Sequence, residues 1–231
     1  MGILIAAGII LLWAAHLAWS LSTGQVAWDS PWMWVHILVQ TYLYTGLFIT
    51  GHDAMHGTVS VNRRLNKLTG MLAVFLFAGM SYRRLVKNHM DHHKYPATEK
   101  DPDFYNGSRN FWVWWFMFMV RYTTIWQILI MAVLFNLLKL IVPVPALLVF
   151  WIVPAFLSTF QLFFFGTWIP HRRPHTEEMG KHRARTLQRN HFLAMLSCYF
   201  FGYHREHHEA PWTPWWQLYR LKSGEATVNK N

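Results

Sequence analysis

Three short histidine clusters interrupt a chain otherwise built from long apolar blocks, and one fold has to accommodate both. The clusters are His52/His56, His89/His92/His93 and His204/His207/His208, spaced HxxxH, HxxHH and HxxHH. On a helix, residues three and four apart share a face, with Cβ atoms about 5–6 Å apart. Each cluster can therefore aim its imidazoles at one point, and together they hold eight of the 14 histidines. A single site drawing on all three requires them at the same end of the helices that carry them.

The apolar blocks have the length of membrane spans. Hydrophobic residues make up 53% of the 231 and charged residues 14%, against about 25% charged in ordinary soluble domains. Runs at residues 3–21, 32–51, 124–141 and 144–168 are each long enough to cross a bilayer as helix. The last would measure about 37 Å if straight, and Pro154 within it predicts a kink. Ser30-Pro31 suits a helix start, and Pro143-Val144-Pro145 a tight reversal between the last two runs. Residues 1–22 lack the basic region and small-residue cleavage site of a secretory signal, and read as a retained span. The aromatic stretch 111–119 predicts an interfacial helix. Residues 65–80 are apolar but marginal in length. Crossing there would separate the first two clusters, so this segment is expected to lie along or dip into the interface. The single cysteine, Cys198, excludes a disulfide framework and a cysteine-held zinc or iron–sulfur site within one chain.

Charge orients the same arrangement independently. Lys and Arg are absent from residues 1–62; ten lie from Arg63 to Arg121, one is Lys139, and ten lie from Arg172 to Lys230. With four spans, 20 of the 21 fall on the side of the clusters, which the positive-inside rule makes cytoplasmic. That rule accounts for the basic blocks without nucleic acid as a partner. The expectation is an all-α integral membrane protein, one domain over residues 1–231, with four transmembrane helices plus interfacial helices. Both termini and a histidine-rich site would lie on the cytoplasmic side.

Eight imidazoles exceed what one four-coordinate zinc needs. Two metals sharing eight or nine nitrogens would each keep an open position, and a redox-active pair, iron, is the economical reading. Ligating imidazoles usually donate their other N–H to a carboxylate or carbonyl. Asp53, Asp91, Asp101, Asp103, Glu206 and Glu209, six of the 11 acidic residues, flank the clusters and are candidates for that role; pairing with nearby arginines is the alternative. Asp53 and Asp91 neighbour ligands in sequence, so on a helix they point off the ligand face, toward another imidazole or a basic side chain. His16 and His36 fall inside spans, where an interhelical hydrogen bond is expected. His175 and His182 sit in a polar basic loop and read as solvated.

These motifs resemble those of the membrane-bound di-iron desaturase and hydroxylase superfamily, with each cluster at a membrane boundary. More narrowly, residues 51–57 (GHDAMHG), 92–96 (HHKYP), 101–104 (DPDF), 165–172 (FGTWIPHR) and 203–216 (YHREHHEAPWTPWW) resemble the bacterial beta-carotene ketolase family. The resemblance implies that His52, His56, His89, His92, His93, His204, His207 and His208 are iron ligands, and that His171 of the PHR run is a ninth. His191 competes for that ninth place. It also implies a bacterial inner membrane and oxidation of a beta-carotene ring at carbon 4. Two successive hydroxylations there give a geminal diol that loses water to a ketone. The products would be echinenone and canthaxanthin, or astaxanthin where the ring carries a 3-hydroxyl. Two iron ions, dioxygen, a carotenoid, membrane lipid and an external electron donor of ferredoxin type are the implied cofactors and partners. No G-x-G-x-x-G nucleotide fingerprint is present, so the reductase would be a separate chain. An acyl-lipid desaturase or hydroxylase with the same site is the alternative enzyme, and a membrane metal-binding or transport protein the alternative of another class.

Overall fold

Helix α1 (Gly2–Thr23) is apolar almost throughout and stops at Gly24, whose positive φ of 60° lets its N–H cap the Leu21 carbonyl. After a short turn, Pro31 opens α2 (Pro31–Met55) at the first helical position, where its missing N–H costs nothing. α3 (Arg63–Ala78) starts under Asn62, whose side chain accepts from the N–H groups of Arg64 and Leu65. Gly79, at φ 64°, reverses the chain into α4 (Tyr82–Lys94). There follow α5 (Phe111–Tyr122), α6 (Ile125–Leu138), α7 (Val144–His171), α8 (His191–Cys198), α9 (His204–Glu209) and α10 (Leu218–Lys222). This computed structural model describes residues 1–225, which are helical with no strand among them; Lys230 of the basic inventory lies outside them.

Two helices, α1 and α7, are long and apolar enough to cross a membrane alone, and α5 with α6 makes a third if counted as one bent pair. α2 has the length, at 25 residues, but buries Gln40, Thr41, Thr45 and Thr50. Two expectations change here. α6 is 14 residues long, so it reaches about 21 Å against the ~30 Å of a hydrocarbon core. The chain turns by 87° between α5 and α6, where Thr123 and Thr124 take extended backbone. α7, in contrast, runs past residue 168 to His171 and accommodates Pro154 with a wide turn at Leu148–Ile152. There the Val153 N–H reaches back to Leu148, a register that absorbs the proline's missing donor. A second wide turn, Phe164–Trp168, precedes Pro170 in the same way.

α3 folds back along α2. Asn66 Nδ2 donates to the Ala54 carbonyl (2.7 Å) near the end of α2, while Phe77 packs against Tyr44 and Phe48 earlier in it. α4 then returns, so residues 65–80 dip beside α2 and bring the first two clusters to one end. Gly2 lies against Val59 and Trp216 at that end, and Gly24 against Pro143 at the other. Tyr44, Leu47, Phe77, Leu147, Tyr199, Tyr203 and Trp215 join α2, α3, α7 and the C-terminal segment in one core. Some of the polar groups within it pair across helices. Gln161 accepts from Thr45 Oγ1 (2.5 Å) and donates to the Ser197 carbonyl (2.6 Å). The expected interhelical bond of His16 and His36 is present: their Nε2 and Nδ1 are 3.1 Å apart, and His16 Nδ1 donates to Gln40 Oε1 at 2.5 Å.

Candidate metal centre

Four helices deliver nine imidazoles to one end of the bundle: His52 and His56 from the last turns of α2, His89, His92 and His93 from α4, His171 from the end of α7, and His204, His207 and His208 from α9. Helix geometry explains how they divide. Positions i+3 and i+4 lie about 60° to one side of residue i and about 40° to the other. An HxxHH cluster therefore feeds two adjacent points. His52, His56, His89 and His207 bring one nitrogen each within 4.8 Å of one another, and His92, His171, His204 and His208 form a second such group. His93 stands between them. Its Nε2 is 3.1 Å from that of His89 and 3.0 Å from that of His207, and its ring lies 4.2 Å from that of His208.

This donor set fits a pair of metal ions. Imidazole nitrogens held at right angles about 2.1 Å from an ion are about 3.0 Å apart. The structure has Nε2–Nε2 separations of 2.7 Å for His56 and His89, 3.1 Å for His92 and His208, and 3.0 Å for His204 and His208. Nε2 of His52 and of His171 are buried and lack hydrogen-bond partners. Burial, then repulsion among neighbouring rings, holds His89, His204, His207 and His208 well below the usual histidine range, which leaves their lone pairs free.

The flanking groups fix tautomers. His171 donates from Nδ1 to the Arg183 carbonyl (3.0 Å), which turns its other nitrogen into the second group. His92 Nδ1 donates to both oxygens of the buried Asp101, at 2.9 and 3.0 Å. Burial alone would depress His92, but the Asp101 and Asp103 carboxylates outweigh it and raise the ring to about 9. Asp101 is held below the usual carboxylate range, because His92 and His171 overcome its burial. Burial raises Asp103 to about 6 despite His92 and the hydrogen bond from the Tyr122 hydroxyl.

The other acidic candidates lie differently. Asp53 accepts from the Trp215 backbone N–H (3.0 Å) and lies 3.6 Å from Nδ1 of His52, its sequence neighbour, so it reaches neither a different imidazole nor a basic side chain. Asp91 pairs with Lys87 on an exposed face (2.8 Å), and Glu209 with Arg205 at 3.8 Å. Glu206 is buried with Oε2 unpartnered. His191 bonds Tyr203 and Ser223, at 2.9 Å each, outside both groups. Two histidines of the basic loop are not simply solvated: His175 donates to the His171 carbonyl (2.9 Å), and the His182 ring is 5.4 Å from that of His208. Tyr122 and the Arg183 carbonyl escaped the sequence reading, since nothing in an aromatic stretch or a basic loop marks such roles.

A cleft of about 330 Å³ leads to the histidines between the α3–α4 hairpin and α5, α6 and α7. Its walls include Phe48, Phe77, Met80, Phe118, Met131, Phe156 and Phe163, and it reaches His52 and His89 of one group and His92 and His204 of the other. Gly166 lies beside the Phe201 ring so closely that any Cβ there would overlap it. Phe201 in turn packs edge-on against His52 (4.9 Å) and His204 (5.5 Å).

A profile of the fatty acid desaturase family matches residues 29–130 and 120–226. Relatives include a zeaxanthin 4-ketolase of Chlamydomonas reinhardtii, 40% identical over 94% of this chain and 52% of its own length. Beta-carotene ketolases of Paracoccus sp. strain PC1 (39% identical) and strain N81106 / MBIC 01143 (37%) are each covered over 90% of their length and 94% of this chain. The chain thus spans about half the length of that algal relative. No solved structure matches. With nearly the whole chain covered by the profile, this protein belongs to the fatty acid desaturase family and has beta-carotene ketolases among its relatives.

Proposed function

We propose that this chain is a membrane-embedded, di-iron, dioxygen-dependent oxygenase that converts the carbon 4 methylene of a beta-carotene ring to a ketone. The observation that carries the reading is the apolar cleft ending on imidazoles of both groups. An apolar passage selects a hydrocarbon and excludes water, and its end sets which carbon meets the metal pair. The ketolase names of relatives covering 94% of the chain supply the substrate. His52, His56, His89, His93 and His207 would hold one iron, and His92, His171, His204 and His208 the other. Bound iron would supply the activation of dioxygen for C–H oxidation. The rest falls to the protein: Asp101 and the Arg183 carbonyl orient His92 and His171, Tyr122 holds Asp103, and the aromatic walls align the ring. Hydroxylation twice at one carbon and loss of water would then give the ketone, with electrons from an external ferredoxin-type donor.

The same reading includes four crossings, by α1, α2, α7 and α6 lengthened by the turn 139–142, where the Lys139 and Val142 N–H groups still reach back to Phe135 and Leu138, in one domain, with termini and metal site on the cytoplasmic side of a bacterial inner membrane. The basic residues gathered at the histidine end support it. Expression in a host that accumulates beta-carotene, followed by pigment chromatography, tests the function. Echinenone and canthaxanthin are expected, and their absence from cells containing the iron-loaded protein would overturn the substrate assignment. An acyl-lipid desaturase or hydroxylase is the second reading, favoured by the family profile, and altered fatty acids with unaltered carotenoids would select it.

A further inference from the structure

A second cleft, of about 260 Å³, opens between the loop before α5 and the end of α7, with Phe104, Tyr105, Arg109, Trp114, Arg172 and Arg173 in its lining. Three of these are arginines, and no ion pair involves any of them among the described residues. Two are held by aromatic rings: the Arg172 guanidinium lies 4.4 Å over Trp168, and that of Arg173 5.7 Å from the Phe104 ring. Stacking of this kind fixes the planar fork and leaves its N–H groups free for a phosphate or carboxylate. Asn106 and Ser108 add polar groups at the rim.

Position selects the ligand. Arg172 and Arg173 are the first residues after the apolar helix Val144–His171. Arg109 lies two residues before the aromatic helix α5, which is set at 87° to α6 and exposes Trp112, Phe116 and Val120. If α6 crosses the bilayer, α5 lies near the plane of the interface with these side chains toward the acyl chains, and the cleft, beside the start of α5 and the end of the apolar α7, lies at headgroup depth. Uncompensated arginines beside interfacial aromatics, in a pocket between helices, are the features that recognise an anionic lipid head. We propose that this cleft binds the phosphate headgroup of an anionic glycerophospholipid, through Arg109, Arg172 and Arg173. The site is separate from the oxygenation chemistry and does not depend on the substrate assigned above.

The test uses the full-length, iron-loaded protein in neutral detergent, with native mass spectrometry to count retained dioctanoyl phosphatidylglycerol and dioctanoyl phosphatidylcholine. The glycerol lipid should be retained in preference to the choline lipid. The combined variant Arg109→Gln, Arg172→Gln, Arg173→Gln should lower its retention at least about tenfold, while Arg63→Gln with Arg64→Gln leaves it unchanged. Iron content and thermal midpoint report whether the variant is folded. If it is not, Arg109→Gln and Arg173→Gln singly should each weaken retention about fivefold. Equal retention of the two lipids, or unchanged retention in the folded arginine variants, overturns the proposal. Displacement of the lipid by inorganic phosphate at the same concentration would assign the cleft to free phosphate and overturn the lipid assignment.

Discussion

Asp101 holds one nitrogen of His92 and leaves the other free. The Nδ1 atom lies 2.9 and 3.0 Å from the two carboxylate oxygens, while Nε2 faces Nε2 of His208 at 3.1 Å. The carboxylate is itself fixed by the backbone N–H groups of Ala97 (2.7 Å) and Asp103 (2.8 Å), so a loop of the DPDF run sets the orientation of a helix-borne imidazole. A hydrogen-bonded carboxylate behind a ligand raises its basicity as well as aiming it.

Replacing Asp101 with Asn keeps the shape and removes the charge. Asp101→Asn should therefore weaken iron retention about 10- to 100-fold, the usual cost of losing such a partner, without abolishing folding. Metal content after dialysis against a graded chelator series reads the change. Retention equal to that of the unaltered protein would mean that Asp101 supports the loop and not the metal.

His171 and His191 compete for the ninth ligand, and their surroundings separate them. His171 has Nδ1 on the Arg183 carbonyl and a buried, unpartnered Nε2, whereas both nitrogens of His191 are already bonded, to Tyr203 and Ser223. His171→Ala should lose one equivalent of iron or hold it weakly, and His191→Ala should retain both. Parallel metal analysis of the two variants decides the point; a reversed pattern would remove His171 from the site.

Much of this was legible in the chain because periodicity reaches as far as a helix does. The HxxxH and HxxHH spacings specify faces, and the absence of Lys and Arg before Arg63 specifies an end of the bundle. Contacts made across long separations were not legible. Asp53 meets Trp215 across a separation of 162 positions, and neither residue marks the other in sequence. The shortening of α6 was equally hidden: its start is at the expected place, but it ends at Leu138, and Lys139-Leu140-Ile141, as apolar as a span in sequence apart from Lys139, form a turn toward Pro143. Pro154 predicts a kink correctly in principle, but whether a proline bends a helix or widens one turn depends on what packs against it.

Gly166 links the wall of the large cleft to the metal site. A methyl group there would overlap the Phe201 ring, so the ring would have to shift, and with it its edge-on contacts to His52 and His204. Gly166→Ala should destabilise the protein by about 1–3 kcal/mol through overpacking. A lowered thermal midpoint in detergent is the expected reading. A midpoint equal to that of the unaltered chain would show that Phe201 has room to withdraw without consequence.

The lowered and raised groups around the proposed metal site give stability a definite pH dependence. His89, His204, His207 and His208 have folded values well below their ordinary 6.5, so each takes up a proton more readily when unfolded. Their contribution is complete above about pH 6.5 and is lost as the pH falls below it. His92 runs the other way: raised from 6.5 to about 9 by Asp101, it stabilises below 6.5 and loses that effect as the pH rises through 9. His93 is lowered in the same way, and Asp103, raised to about 6, acts with His92; the lowered rings outnumber these two, so the metal-stripped protein should be less stable at about pH 5.5 than at about pH 7.5. Iron would bind neutral rings; the lowered ones are already neutral when folded, so the dependence falls to His92, which must release its proton, and the stabilisation, about 2.7 kcal/mol at a hundred times Kd, should be larger at the higher pH and shrink on acidification. Thermal midpoints at both pH values, with and without chelator, measure all four terms. A chelator effect that grew on acidification would be incompatible with ligation by His92, because that ring would then bind metal in preference while carrying a proton.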